Sequence, residues 1–304
     1  MQLARKLDGD DDSTAANLLM LQTNRITLPD NFNYIGLFLT FRCPFKCSYC
    51  INRIDPNHDL GTAELDGQEW IDFISRLNAG NVPVSLQGGE PGLHKDFVNI
   101  VEGALKYVKV DILTNLAFDL NDFINRIDPN SINREAPYAP IRASYHPEQF
   151  NLNWIIARLT YLQKHGFRVG LYGVMHPDNI TAMEHAANVC KDMGIDFRTK
   201  PFLGWHNDKL QGDYAYDGAC SGETHQKLCA PSELLLNPDG NIYPCHHHLY
   251  AQSGATGNIK NPFLKIDNSH RPCSSFGQCN PCDVKVKNNR FQQFGHTSVS
   301  IKDI

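Results

Sequence analysis

The chain has 304 residues, of which 41% are hydrophobic and 20% charged, with a net charge of −5 and ten cysteines. That length allows one large domain or two smaller ones, and the composition is that of a soluble globular protein. There is no basic run to attract nucleic acid and no stretch of about 18 apolar residues to span a membrane. The early aspartates Asp8, Asp10, Asp11 and Asp12 break any apolar core of a signal peptide. Cysteines clustered in a chain without export signals read as metal ligands in a reducing cytoplasm, not as a disulfide framework.

Residues 1–33 read as an N-terminal extension. Tyr34-Ile-Gly-Leu-Phe-Leu-Thr-Phe reads as a strand that runs straight into a loop holding Cys43, Cys47 and Cys50. Residues 64–79 have Trp70, Phe73, Ile74 and Leu77 at helical spacing. A second strand, Val82-Pro-Val-Ser-Leu-Gln, ends at Gly88-Gly89-Glu90-Pro91. A helix over 95–107, a strand over 108–114 and a short helix over 119–127 follow. A fourth strand, 141–145, leads to an amphipathic helix over 151–165. A fifth strand over 167–174, a helix over 178–193 carrying Cys190, and a sixth strand over 196–203 complete the series. Strands alternating with helices predict βαβ units and a parallel sheet, and right-handed crossovers would curl it into a partial (β/α)6 barrel over 34–204. Ligands in such sheets bind at the carboxyl ends of the strands, where the cysteine loop, Glu90, Thr114-Asn115 and Ser144 all fall.

From about 205 to 304 the helical periodicity fades, and cysteine, glycine, proline and histidine take over. One hairpin is expected around Asn237-Pro-Asp-Gly240. This part is expected to be a small domain held by metal and not by an apolar core. His246, His247 and His248 are adjacent, so on an extended strand they would alternate faces and could not share one ion. The tail from Asn288 is polar and aromatic.

Three thiolates spaced Cys-x3-Cys-x2-Cys can hold three irons of a four-iron cube and leave the fourth open, where an ordinary electron carrier takes four cysteines. A zinc site using Cys47 and Cys50 is the competing reading, and it leaves Cys43 idle. Gly88-Gly89 permits close approach of a ligand to the backbone, Pro91 fixes the turn, and Glu90 can bind an ammonium group.

The loop Cys43, Cys47, Cys50, with the aromatic Tyr49 before the last cysteine, resembles the signature of the radical S-adenosylmethionine (SAM) enzymes. The resemblance implies a [4Fe-4S] cluster whose open iron is chelated by SAM. It further implies reductive cleavage to a 5′-deoxyadenosyl radical and hydrogen abstraction from a substrate. It assigns Gly88, Gly89, Glu90 and Pro91 to the methionine amine of SAM, and Thr114, Asn115 and Ser144 to its ribose or carboxylate. His146 departs from the aspartate often found at its position and is a candidate for facing substrate. Lys200, two residues from Arg198 on the sixth strand, is a candidate buried base or anion clamp; a salt bridge is the plainer reading.

The distal cysteines resemble the auxiliary-cluster extension called SPASM or its shorter relative Twitch. Cys229 is followed by ten residues, Gly240, four more residues and Cys245, and later by Cys279-x2-Cys282. The resemblance makes Cys229, Cys245, Cys279 and Cys282 the ligands of an auxiliary [4Fe-4S] cluster, with Cys273 replacing Cys279 or Cys282 as the competing assignment, and a zinc knuckle as the plainer one. Cys220, in what reads as a flexible loop, is a candidate hydrogen-atom donor, whereas Cys190 reads as a packed thiol. The function expected is oxidation of a small substrate, a sugar, cyclitol or nucleotide-linked sugar, with the auxiliary cluster accepting an electron and an external reductant such as flavodoxin or ferredoxin. A SPASM-type peptide maturase, a sugar epimerase using Cys220, and a zinc-stapled binding module are the alternatives.

Overall fold

The computed structural model describes residues 24–51, 62–287 and 295–304. Most of the expected N-terminal extension and residues 288–294 of the tail lie outside the described residues. In chain order, the elements begin with β1 (Ile26–Thr27), β2 (Ile35–Thr40), α1 (Gly67–Arg76), β3 (Leu77–Asn78), β4 (Val84–Gly88), α2 (Phe97–Ala104) and β5 (Val110–Thr114). Then come α3 (Leu120–Arg126), α4 (Pro129–Ile132), β6 (Ile141–Tyr145), α5 (Leu152–Lys164), β7 (Val169–Met175), α6 (Ile180–Asp192) and β8 (Asp196–Pro201). The distal part adds β9 (Gly204–His206), β10 (Lys209–Gln211), β11 (His225–Pro231), β12 (Leu234–Leu236) and β13 (Asn241–Tyr243). It ends with α7 (His246–Tyr250), β14 (Gly257–Asn258), β15 (Arg271–Phe276), α8 (Pro281–Val284) and β16 (Val299–Lys302).

The helices begin where side chains can satisfy free backbone N–H groups. Asp66 and Glu69 form a reciprocal capping box at α1, Asp119 caps α3, and Asn151 caps α5. β2, β4, β5, β6, β7 and β8 are parallel neighbours in chain order within one sheet. Alternation along β2 sorts its side chains between two faces. Ile35, Leu37 and Leu39 join Trp70, Phe73 and Ile74 in the main core beneath the helices, while Tyr34 and Phe38 pack with Leu235 and Tyr250 on the other face. Burying each large apolar side chain of that core contributes about 1.5–3 kcal/mol.

On the inner face the amino end of the sheet is closed by charge. Asp111, fully buried on β5, is paired with Arg142 at 2.8 Å and with Arg134, and accepts from the Tyr138 hydroxyl at 3.1 Å. Arg198 reaches the same end, where it pairs with Asp196 and donates to the Pro137 carbonyl. The plainer reading of Arg198 therefore holds: it is a structural ion pair.

The distal part departs from expectation in two ways. The hairpin β12–β13 is present, but β12 pairs in parallel with β2, Leu235 against Gly36, so the hairpin and β14 extend the main sheet. Leu234, Leu236, Ile242, Ile259 and Leu264 enter the main core, so apolar burial holds this segment, not metal alone. A further antiparallel sheet, β15–β11–β16, was not legible in sequence. His246–His248 form the start of α7 instead of an extended strand, because the Asp283 carboxylate accepts from the backbone N–H of His246 at 2.8 Å and of His247 at 3.0 Å. Among the described residues, no helix is long and apolar enough to cross a membrane.

One buried ion pair ties β12 to the tail. Glu233, 1% exposed, is paired with Lys287, which also donates to Ser298. Burial pushes the Glu233 carboxyl upward, but Lys287 and His246 overcome it and hold the pKa at about 2. A depressed pKa stabilises the fold above the ordinary carboxylate range, and that contribution is lost as pH falls toward 2. Replacing Lys287 with Met leaves Glu233 buried and unpaired, and is expected to cost about 3–5 kcal/mol in urea unfolding at neutral pH. The deficit should shrink as the pH is lowered and Glu233 protonates.

Candidate active site

The cysteine loop leaves the carboxyl end of β2 and is held by a turn from the neighbouring strand. Gly89 N–H donates to the Thr40 carbonyl at 2.9 Å, and Glu90 N–H to the Arg42 carbonyl at 2.8 Å. Both glycines are required by this contact. A Cβ on Gly88, whose φ is +147°, would meet the Thr40 oxygen at 2.1 Å, and one on Gly89 would meet the Arg42 and Phe41 oxygens at 2.3 and 2.5 Å. The close approach that the glycine pair allows is thus to the cysteine loop itself. Arg42 continues the clamp, binding both oxygens of Glu64 at 2.9 Å and the Leu93 carbonyl at 2.8 Å.

Glu90 lies beneath the turn, fully buried. Its carboxylate accepts from the Thr114 hydroxyl and the Asn115 N–H, each at 2.6 Å, and from the Gly92 N–H at 3.0 Å. Burial raises its pKa to about 6 against the lowering effect of those three bonds. Glu90 therefore joins the ends of β4 and β5, and Pro91 opens the short helical turn that follows it. Thr114 and Asn115 are part of this construction, and the Asn115 amide also donates to Cys43 Sγ at 3.7 Å. Ser144 stands half-buried near the end of β6.

The other side of the loop is held by residues that sequence reading missed. Glu148 accepts from the backbone N–H and hydroxyl of Ser48 at 2.9 and 2.6 Å, and Gln149 accepts from Lys46 N–H at 3.0 Å. Both follow β6 by a few residues, and nothing in their spacing announces a contact about a hundred residues away. The three thiols are crowded: burial, then Cys50 and Cys43, push the Cys47 pKa up to about 12. Such a set ionises fully only when a cation shares it.

Tyr49 projects between two histidines. Its hydroxyl lies 3.1 Å from His146 Nδ1, and its ring stacks on His176 at 5.3 Å. Burial lowers the His146 pKa to about 4, with the nearby Lys200 adding to it, so the imidazole is neutral and shares a hydrogen bond with the Tyr49 hydroxyl. Lys200 lies half-buried on β8 with its ammonium 5.7 Å from the centre of the Tyr172 ring. Tyr49, His146 and Lys200 thus converge at the carboxyl ends of β6–β8.

The distal cysteines form two groups that meet at Cys279. Cys229 and Cys273 are hydrogen-bonded to one another, which raises the Cys229 pKa and, with His248, lowers that of Cys273. Cys245 and Cys279 lie close enough to feel Cys273, and burial raises both, Cys279 to about 12. Cys282 keeps different company, close to Cys220, Tyr214 and Tyr250. Cys220 sits in no flexible loop: it is buried with Phe276, Val284 and Val299, and its thiol donates to the Cys279 carbonyl at 3.4 Å. Burial lifts its pKa to about 11. Cys190 is fully buried in the main core, as expected.

No protein-family model matches the chain. Solved structures do. Native anSMEcpe with bound AdoMet and the Kp18Cys peptide aligns with a TM-score of 0.53 at 14% identity, covering 86% of this chain and 92% of that one. The same enzyme with the Cp18Cys peptide gives 0.52 at 13% identity over the same shares, and a hexahistidine-tagged form of anSMEcpe with AdoMet gives 0.52 at 15% over 75% of each chain. The chain shares its fold with these AdoMet-bound structures. At these identities the likeness concerns the fold alone.

Two substitutions probe the clamp. Gly89→Ala should displace the cysteine loop and lower the iron assembled on it, read as iron per chain after anaerobic reconstitution. Glu90→Gln sets an amide donor against groups that donate, and should cost about 1–3 kcal/mol in thermal unfolding even without iron.

Proposed function

We propose that this protein is a radical SAM enzyme that abstracts hydrogen from a carbon of its substrate. The reading rests above all on Cys43, Cys47 and Cys50 gathered on one loop at the carboxyl end of β2, in a fold whose solved examples include AdoMet-bound enzymes. The four-iron cluster and SAM, when bound, supply the radical chemistry. This chain's part is to hold and shield them. Cys43, Cys47 and Cys50 would bind the cluster. Gly88, Gly89, Glu90 and Pro91 shape the turn that fixes the loop, and Thr114, Asn115 and Ser144 line the strand ends where SAM would lie. With its carboxylate already bonded three times, Glu90 acts on SAM mainly through the backbone it positions. The sheet carrying these strands is read as the partial barrel, residues 34–204, and residues 205–304 as the auxiliary part.

For the auxiliary [4Fe-4S] cluster we favour Cys229, Cys245, Cys273 and Cys279 as ligands, with Cys273 in place of Cys282. These four influence one another's ionisation, Cys279 also neighbours Cys220, and Cys282 acts on Cys220. A cluster with four protein ligands has no vacant iron and serves as an electron acceptor. Two single changes decide between the sets: Cys273→Ala should lose about four irons per chain, and Cys282→Ala should retain them.

The substrate favoured is a small polyhydroxylated molecule, a sugar or cyclitol, bound beside His146, Tyr49 and Lys200 and oxidised with an external one-electron reductant starting each turnover. His146, neutral, and Lys200 offer hydrogen bonds to hydroxyl groups. A peptide substrate is the second reading, because anSMEcpe, over 92% of whose chain this fold extends, holds the Kp18Cys peptide. Anaerobic incubation with reductant, SAM and panels of deuterated sugars and peptides, following deuterium into 5′-deoxyadenosine, separates the two. Cys47→Ala should abolish 5′-deoxyadenosine formation altogether. A wild-type protein containing two clusters that cleaves no SAM would refute the proposal.

A further inference from the structure

Apart from the cysteines, one group of metal-ligating side chains gathers among the described residues: His176, Asp178 and His206, with donor atoms all within 4.8 Å of one another. We propose that these three residues bind one divalent metal ion of the zinc class at the carboxyl end of β7, leaving a coordination position for an oxygen of a bound molecule.

Proton placement supports this. The Asp178 backbone N–H can only donate, and it points at His176 Nδ1 from 3.3 Å, so that nitrogen carries a lone pair. The same nitrogen is 3.6 Å from one carboxylate oxygen of Asp178, and His206 Nε2 is 3.9 Å from the other. The Asn207 side chain lies 3.0 Å from His206 Nε2. Two imidazole nitrogens and a carboxylate therefore face one another, and a cation in their midst would be ligated by all three. The long bond from the Asp178 N–H is weak enough to be exchanged for a metal.

The scaffold is already in place. His176 is 8% exposed, held between the Tyr49 ring at 5.3 Å and the Phe202 ring at 4.6 Å. His206 ends β9 in a tight hairpin whose turn residues, Asn207 and Asp208, take φ of +48° and +57°, which fixes its direction. The Asp178 side chain is 72% exposed, so an ion can enter from solvent. Two imidazoles and one carboxylate suit zinc and its transition-metal neighbours, whereas magnesium and calcium prefer oxygen alone. Three protein ligands are the set that leaves an open position. Because His176 stacks on Tyr49 of the cysteine loop, an oxygen bound there would be held at the edge of the candidate active site.

The test uses the full chain with its iron assembled and counted. Equilibrium dialysis against buffered zinc chloride, with zinc and iron measured separately, should give one zinc per wild-type chain. His206→Ala removes a ligand from an exposed hairpin, and Asp178→Asn removes the exposed carboxylate. Each should weaken zinc binding about 100-fold or more while iron per chain stays constant. If His206→Ala disturbs iron content, Asp178→Asn decides alone. A wild-type chain that retains no zinc, or zinc retained equally by both variants and hence held by cysteines, overturns the proposal. Neither result bears on SAM cleavage, which is read independently.

Discussion

Everything in the candidate active site depends on one backbone contact, the clamp of the Gly88–Gly89 turn on the first residues of the cysteine loop. Two N–H groups of the turn bond two carbonyls of the loop, and the approach is so close that neither glycine can carry a side chain. Glu90 locks the turn from below by taking protons from the end of β5. The three cysteines are thereby held relative to two strands by the protein's own bonds. Crowded thiolates repel, and a loop that had to be organised by a metal alone would lose binding free energy to its own ordering.

The distal part is fastened to the same frame. β12 extends the sheet beside β2, so the strand leading to the cysteine loop also positions the hairpin that carries Cys245. Asp283 bonds the first turn of α7, Lys287 neutralises Glu233, and the Asn280 amide reaches the Ile51 carbonyl at 3.4 Å just past Cys50. Tyr250, buried between the two parts, is close to both Cys50 and Cys282. The apolar and aromatic packing there holds the two groups of cysteines at fixed separation, which electron transfer between clusters would require.

The inner face shows a division of labour by position along the strands. At the amino ends Asp111 pairs with Arg134 and Arg142, and Arg198 pairs with Asp196. At the carboxyl ends the side chains are polar but mostly neutral: Ser144, His146 and Tyr49, with Lys200 over an aromatic ring. Charges satisfied at one end and exchangeable hydrogen bonds at the other are what a substrate site in a parallel sheet needs.

The sequence by itself determined the six parallel strands, their helices and the loop of Cys43, Cys47 and Cys50, because apolar periodicity and cysteine spacing are local. The hairpin at Asn237–Gly240 was legible for the same reason: its turn chemistry spans four residues. What touches the loop was decided only by tertiary structure. Glu148 and Gln149 reach it from about a hundred residues away, and the glycine pair turned out to face backbone where a ligand was expected. Partners of Cys229 could not be chosen by spacing either, since β11 and β15 bring Cys273 to it through a strand pairing with no sequence signature. His246–His248 became helical because Asp283, distant in sequence, satisfies their N–H groups. Side-chain types and short spacings are properties of the chain, whereas which donor meets which acceptor across the fold is settled only when the sheet closes over its core.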